Sequence, residues 1–289
     1  MNLKNKFLAG TISVVSLFIY SCGSDNSAED NLSKNQADTT SQTAEVADTS
    51  SNFQLYSLPT PMIMASALKN MNGSYNEKYI EPVLESMKKP KGTEADRALA
   101  LGVYSVDIGY AALFNHQQVA FNIFSNCSKL ARDLNVEGEI SKETLERFRK
   151  NINNRDSLTF IILFAFNKIH NNLYTSERKP AALHIIAGAY IEGSYLAIKS
   201  YNSNKNEEIR QVVAEQKVFL ENIAELAEQE NKDGKNDDLI SKLQGLIKAY
   251  EKVNIKIENA KIAKIELTPD EFKGIEKSIE EIRNSIINS

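Results

Sequence analysis

The chain has 289 residues, 42% of them hydrophobic and 25% charged, which is enough apolar material for a sizeable core in one large domain or two smaller ones. A formal net charge of −4 leaves no basic footprint and argues against nucleic acid as a partner. With 12 Gly, 6 Pro and no Trp, the composition suits long helices better than a turn-rich β fold.

The first residues read as targeting rather than fold. Lys4 and Lys6 precede an apolar run from Phe7 to Tyr20 that is too short to span a bilayer comfortably. Ile19-Tyr20-Ser21-Cys22 follows and resembles a bacterial lipobox, although Tyr20 is bulkier than usual. The resemblance implies a lipoprotein signal peptide over residues 1–21, cleavage before Cys22, and acylation of its sulfur and new amine. Several acyl chains at ~0.8 kcal/mol per buried methylene make a durable membrane anchor. Residues 22–52 then read as the lipidated Cys and a disordered linker, rich in Ser, Thr, Asn and Asp with little to bury. Such a tether holds a domain on the order of 30 Å from the bilayer. Ser24-Asp25 and Glu29-Asp30 are similar to acidic surface-export signals of some Bacteroidetes-type lipoproteins, but Asn26 interrupts the run. A lipid-anchored place in the cell envelope is expected, on the outer membrane, facing either the periplasm or the cell surface.

The chain contains two Cys, so lipidation of Cys22 leaves Cys127 alone and no intramolecular disulfide. Cys127 lies in an apolar helical pattern and reads as a small packed hydrophobe.

Residues 53–205 read as a helical core domain. Pro59 and Pro61 make an extended lead-in, and helices are expected over 62–72 and about 76–87. Thr93 with Asp96 resembles a capping box for a single long helix to residue 134. A shorter helix follows Ser141. The run 151–157 is a turn and helix start, and Leu158 to Phe166 is apolar nearly all round, which predicts burial on every side. Pro180 restarts a helix to about residue 201. Residues 206–289 read as C-terminal amphipathic helices packed on or extending the core, over 207–230, about 237–264, and from Thr268. Nothing strand-like is left over, so the expected fold is all-α, a multi-helix bundle of eight or nine helices.

The most suggestive chemistry lies in two of these helices. One carries Gly102-Val-Tyr104-Ser-Val-Asp107-Ile-Gly109-Tyr110, the other Gly188-Ala-Tyr190-Ile-Glu192-Gly193-Ser-Tyr195. Residues three apart share a helix face, so each helix sets a carboxylate among tyrosines. Glycines in a helix interior cost about 1 kcal/mol each against Ala, and close approach of two backbones is a plausible return. Two readings follow. In one, Tyr104, Asp107, Tyr110, His184, Tyr190, Glu192 and Tyr195 line a small-molecule or metal pocket where the helices cross. In the other they are core architecture, each acid hydrogen-bonded by tyrosine hydroxyls or paired with Arg97, Arg155 or Lys168.

No catalytic signature accompanies them. Gly-rich phosphate loops, Glu-x-x-His, His-Glu-x-x-His and Gly-x-Ser-x-Gly are missing from the sequence, and no cofactor is expected.

The runs 99–111, 151–158 and 187–196 are similar to recurring stretches in an uncharacterised all-helical lipoprotein family of Bacteroidetes-type bacteria. The resemblance covers roughly residues 53–205 and implies a folded helical domain on a lipid anchor, with no activity attached. The Gly-x-His-x-x-Glu motif of imelysin-like periplasmic proteins is missing. The sequence therefore predicts a non-enzymatic, envelope-anchored binding or scaffold protein, with a protein partner docking on the C-terminal helices.

Overall fold

The computed structural model describes residues 73–258 and 261–289. The expected signal peptide, Cys22, the linker to residue 52, and the lead-in and helix expected over 53–72 lie outside them. Among the described residues the order is α1 Glu77–Ser86, α2 Glu94–Leu113, α3 Gln117–Asp133, α4 Lys142–Lys150, α5 Arg155–Thr175, α6 Lys179–Asn204, α7 Glu207–Gln229 and α8 Asp237–Tyr250. A hairpin, β1 Asn254–Glu258 and β2 Lys261–Glu266, precedes α9 Pro269–Asn288. The protein is an all-α multi-helix bundle.

Local sequence sets most helix starts. Asn76, Thr93, Ser141, Asn154, Asn206 and Thr268 each accept a first-turn amide with the side chain, which satisfies a donor that has no partner inside the helix. At Thr93 and Thr268 the bond is reciprocated by Asp96 and Glu271.

Three expectations fail. The single helix expected to residue 134 is two helices, because Asn115 adopts the left-handed conformation at φ 66°. Its amide bonds the Ala112 carbonyl at 3.2 Å and that of His116 bonds Ala111 at 2.8 Å, the pair of bonds that closes a helix C-terminus. The helix expected to residue 264 stops at Tyr250. Beyond it, Ile255 and Ile257 alternate with Lys256 and Glu258 at period two, and that alternation wins over the helical stripe. The hairpin is antiparallel, pairing Ile255 with Ile265 and Ile257 with Ile262 around an irregularity after Lys256. Finally, α5 is not buried all round. Leu158, Ile161, Ile162, Ala165 and Ile169 face the core, while Phe160 and Phe164 are 59% and 42% exposed.

α2 and α6 form the centre. Every residue from Ala98 to Leu113 is buried, and α6 is buried almost without interruption from Ala181 to Ile198. By length and composition α6 could cross a membrane, but 94% of its most apolar window is buried inside the protein, as befits a core helix. The two helices run in the same direction. Glu94 and Arg178 pair at their starts, the Gly102 and Gly188 contacts follow, and Asp107 and Glu192 meet further along. A Cβ on Gly102 would collide with the Ile185 carbonyl and sit 2.8 Å from Ala189 N, and one on Gly188 would collide with the Leu99 carbonyl. The backbones touch there, which is the return for two helix-interior glycines.

α3, α5, α7 and α9 pack around this pair, and α8 packs on α7 and α9. The apolar stripes of the last three helices are spent inside the protein. Val213, Leu220 and Ile223 of α7, Leu243 and Leu246 of α8, and Phe272, Ile275 and Ile279 of α9 are all buried. Val212, Phe219, Ile240 and Ile247 on the same helices are half-buried and pack against this core.

Candidate functional site

The acid of α6 meets a cation from the last helix, and the acid of α2 lies beside that pair. Arg283 donates from Nε to Glu192 Oε2 at 2.6 Å and from Nη2 to Glu192 Oε1 at 2.9 Å, a bidentate pair. Nη2 also donates to the Tyr79 carbonyl of α1 at 3.0 Å. The guanidinium lies over the Tyr195 ring, 3.8 Å from its centroid. Arg283 is 1% exposed, and Glu192 and Asp107 are fully buried. Burial works against the charged guanidinium, but the facing Glu192 carboxylate outweighs it and raises the Arg283 pKa.

Asp107 completes the group. Burial first, and then the neighbouring Glu192 carboxylate, raise its pKa well above the ordinary 3.8, with Arg283 offsetting only part. As an anion, neither of its oxygens meets a hydrogen-bond donor. Protonated, it donates to Glu192, and the buried set Arg283–Glu192–Asp107 is electrically neutral. Burial pushes the phenols of Tyr75 and Tyr104 up to about 12 and raises the buried Cys127 thiol, and an ionised Asp107 would raise all three further.

The tyrosines do not solvate the acids. The Tyr104 hydroxyl lies 3.1 Å from Ser86 Oγ at the end of α1. Tyr110 donates to the Ser74 carbonyl at 3.0 Å and accepts from the Asn76 amide at 2.9 Å, just before α1. Tyr190 donates to the Gln216 carbonyl of α7 at 3.3 Å, and Tyr195 offers its ring to Arg283 of α9. Tyr104 and Tyr110 thus tie the central pair to the two ends of α1, Tyr190 ties it to α7 and Tyr195 to α9.

His184 stands apart from the acids. Its Nδ1 lies 2.5 Å from the Pro180 carbonyl, its charged neighbours are Asp238, Lys242 and Glu94, and burial lowers its pKa. Among the described residues no three His, Cys, Asp or Glu side chains gather as a metal site. Glu192 pairs with Arg283, Asp107 lies beside that pair, and His184 does not join them as a third ligand. Arg97, Arg155 and Lys168, the partners expected from sequence, are not the cation either.

Arg283 lies outside the acid–tyrosine pattern, yet its signal is in the sequence. Phe272, Ile275, Ile279 and Ile286 are spaced by three, four and seven, and Arg283 occupies the core position four beyond Ile279 and three before Ile286. An Arg on an apolar stripe needs a buried acid opposite it.

A second buried cation closes the same helix. Lys91, 8% exposed, donates to Ser86 Oγ at 2.9 Å and to the Ile287 carbonyl at 2.8 Å, with the Ile286 and Ser289 carbonyls at 3.3 and 3.2 Å. It satisfies the free carbonyls at the end of α9, where the helix dipole favours positive charge.

Compared with protein-family models, curated proteins and solved structures, the chain matches none.

Proposed function

We propose that the chain is a non-enzymatic binding or scaffold protein, held to the cell envelope through lipid on Cys22. One observation carries the scaffold reading. The polar groups at the centre are spent on joining helices, with both oxygens of Glu192 on Arg283 and the Tyr104, Tyr110 and Tyr190 hydroxyls on α1, its approach and α7. Groups so engaged serve rigidity rather than turnover. The lipobox-like sequence ending at Cys22 supports the anchor, on the outer membrane facing either the periplasm or the surface.

Labelled palmitate supplied to expressing cells tests the anchor. Label should follow the chain into the membrane fraction and vanish in Cys22→Ala, whereas labelling that survives the substitution contradicts it.

The second reading, a small-molecule binder, is supported by Asp107, whose two buried oxygens have no donor when ionised. Native mass spectrometry of the undenatured protein separates the two readings. A bound mass lost in Asp107→Asn favours the pocket, and a bare polypeptide favours the scaffold.

A further inference from the structure

The turn 151–157, singled out in the sequence, meets the corner between α2 and α3 in an open cleft of about 400 Å³ lined by Asn115, Asn153, Asn154, Arg155 and Asp156. All five are exposed. Asn154 spends its Oδ1 on the Ser157 amide at 3.0 Å, which leaves its side-chain N–H groups directed by the cap. Arg155 Nε lies 3.6 Å from Asp156 Oδ1, so the cleft carries both signs and attracts neither anions nor cations strongly.

An aromatic stripe continues along α5 from Asp156 at the edge of this cleft. Asp156, Phe160 and Phe164 follow one another at four-residue steps on α5, so they share a face and rise ~6 Å per step. The Phe160 and Phe164 rings stack with centroids 5.8 Å apart and planes 17° from parallel. Lys168 Nζ sits over Phe164, 4.9 Å from its centroid. Lys168 and Phe164 thereby brace Phe160, the most exposed large apolar side chain among the described residues.

We propose that this cleft and stripe bind a neutral oligosaccharide chain. A sugar ring has one apolar C–H face, which suits a flat braced phenyl ring. Its edge carries hydroxyls that both donate and accept, which suits amides, a carboxylate and a guanidinium set one turn away. An anionic lipid surface fits less well, because Asp156 stands at the lip and the cleft is polar rather than apolar. This ligand class rests on the binding-protein reading above and supplies its partner.

The chain has no Trp, so Phe160→Trp places a single fluorophore on the platform while keeping an aromatic ring there. The full chain in mild detergent, carrying that substitution, is titrated with cello-, manno- and chitotetraose to about 10 mM, covering weak affinities. A saturable emission shift with at least one sugar is expected. It should weaken about tenfold when Asn153→Ala or Asp156→Ala is added, at unchanged melting temperature. Isothermal titration should show Phe160→Ala losing the same affinity. No saturable response to any of the three overturns the inference, as does a shift produced only by anionic phospholipid vesicles. Palmitate labelling of Cys22 is read on the same preparation, so loss of the sugar response leaves the anchored-scaffold reading independently scored.

Discussion

Arg283 of the last helix grips Glu192 of the central helix with two hydrogen bonds of 2.6 and 2.9 Å, and neither residue reaches solvent. Residues 91 positions apart are thereby joined at the core of the bundle. Such a pair gives little net stability against a well-packed apolar one, but breaking it by removing one partner costs about 3–5 kcal/mol. Its value is to fix where α9 lies.

Deleting α9 from Thr268 onward should therefore unfold the protein rather than trim it. The truncation strips the cation from Glu192 and uncovers the sites of Phe272, Ile275 and Ile279. Loss of cooperative thermal unfolding by circular dichroism is the expected outcome. A truncated chain that melts cooperatively would show the last helix to be peripheral.

Asp107 makes stability depend on pH in a definite direction. Its pKa is raised in the folded state, so the folded protein holds a proton that the unfolded chain releases above 3.8. The stability from this group is complete below that value and is lost as pH rises toward the folded pKa. Urea unfolding at about pH 5 and about pH 9 should show the wild type weaker at the higher pH, and Asp107→Asn, which keeps the donor without the proton, less affected. Equal slopes in the two proteins would mean that Asp107 is ionised.

The glycine contact should tolerate no methyl group. Ala is the better helix former by about 1 kcal/mol, so Gly102→Ala or Gly188→Ala would stabilise an isolated helix. In the protein each new Cβ meets a backbone carbonyl that has no rotamer to escape through. A net loss of about 1–3 kcal/mol by denaturant titration is expected. A gain would show that the backbones are further apart.

Removing the Lys91 ammonium as Lys91→Met should cost about 1–3 kcal/mol, since the Ile286 and Ile287 carbonyls and Ser86 Oγ lose a buried donor. Amide exchange in the last turn of α9 should rise first. Unchanged protection there would show that the carbonyls are solvated without it.

Much of this arrangement is written in local sequence. The caps at Thr93 and Thr268, the close approach at Gly102 and Gly188, and the all-helical core follow from residue type and spacing. What escaped notice depends on contacts across the chain or on a contest between two periods. The break at Asn115 needs one residue in a left-handed conformation, and the hairpin at 254–266 sets a period of two against a helical stripe. The exposure of Phe160 and Phe164 cannot be read from a run that is apolar on every side. Spacing alone offers the acids tyrosine hydroxyls or a cation, and it does not show that hydroxyls on long rings reach past their own helix to the next one. Arg283 was legible as a charge on an apolar stripe, but nothing local names its partner 91 residues away.

The central claim is that Glu192 and Arg283 act as one unit, and a double-mutant cycle measures it. Glu192→Gln, Arg283→Met and the double variant are unfolded in urea beside the wild type. Each single substitution strands a buried charge, while the double removes both charges together. A double variant less destabilised than the sum of the singles, by about 2 kcal/mol or more, is the predicted result. Costs that add to within about 0.5 kcal/mol would contradict it and show that the two residues stabilise the bundle separately.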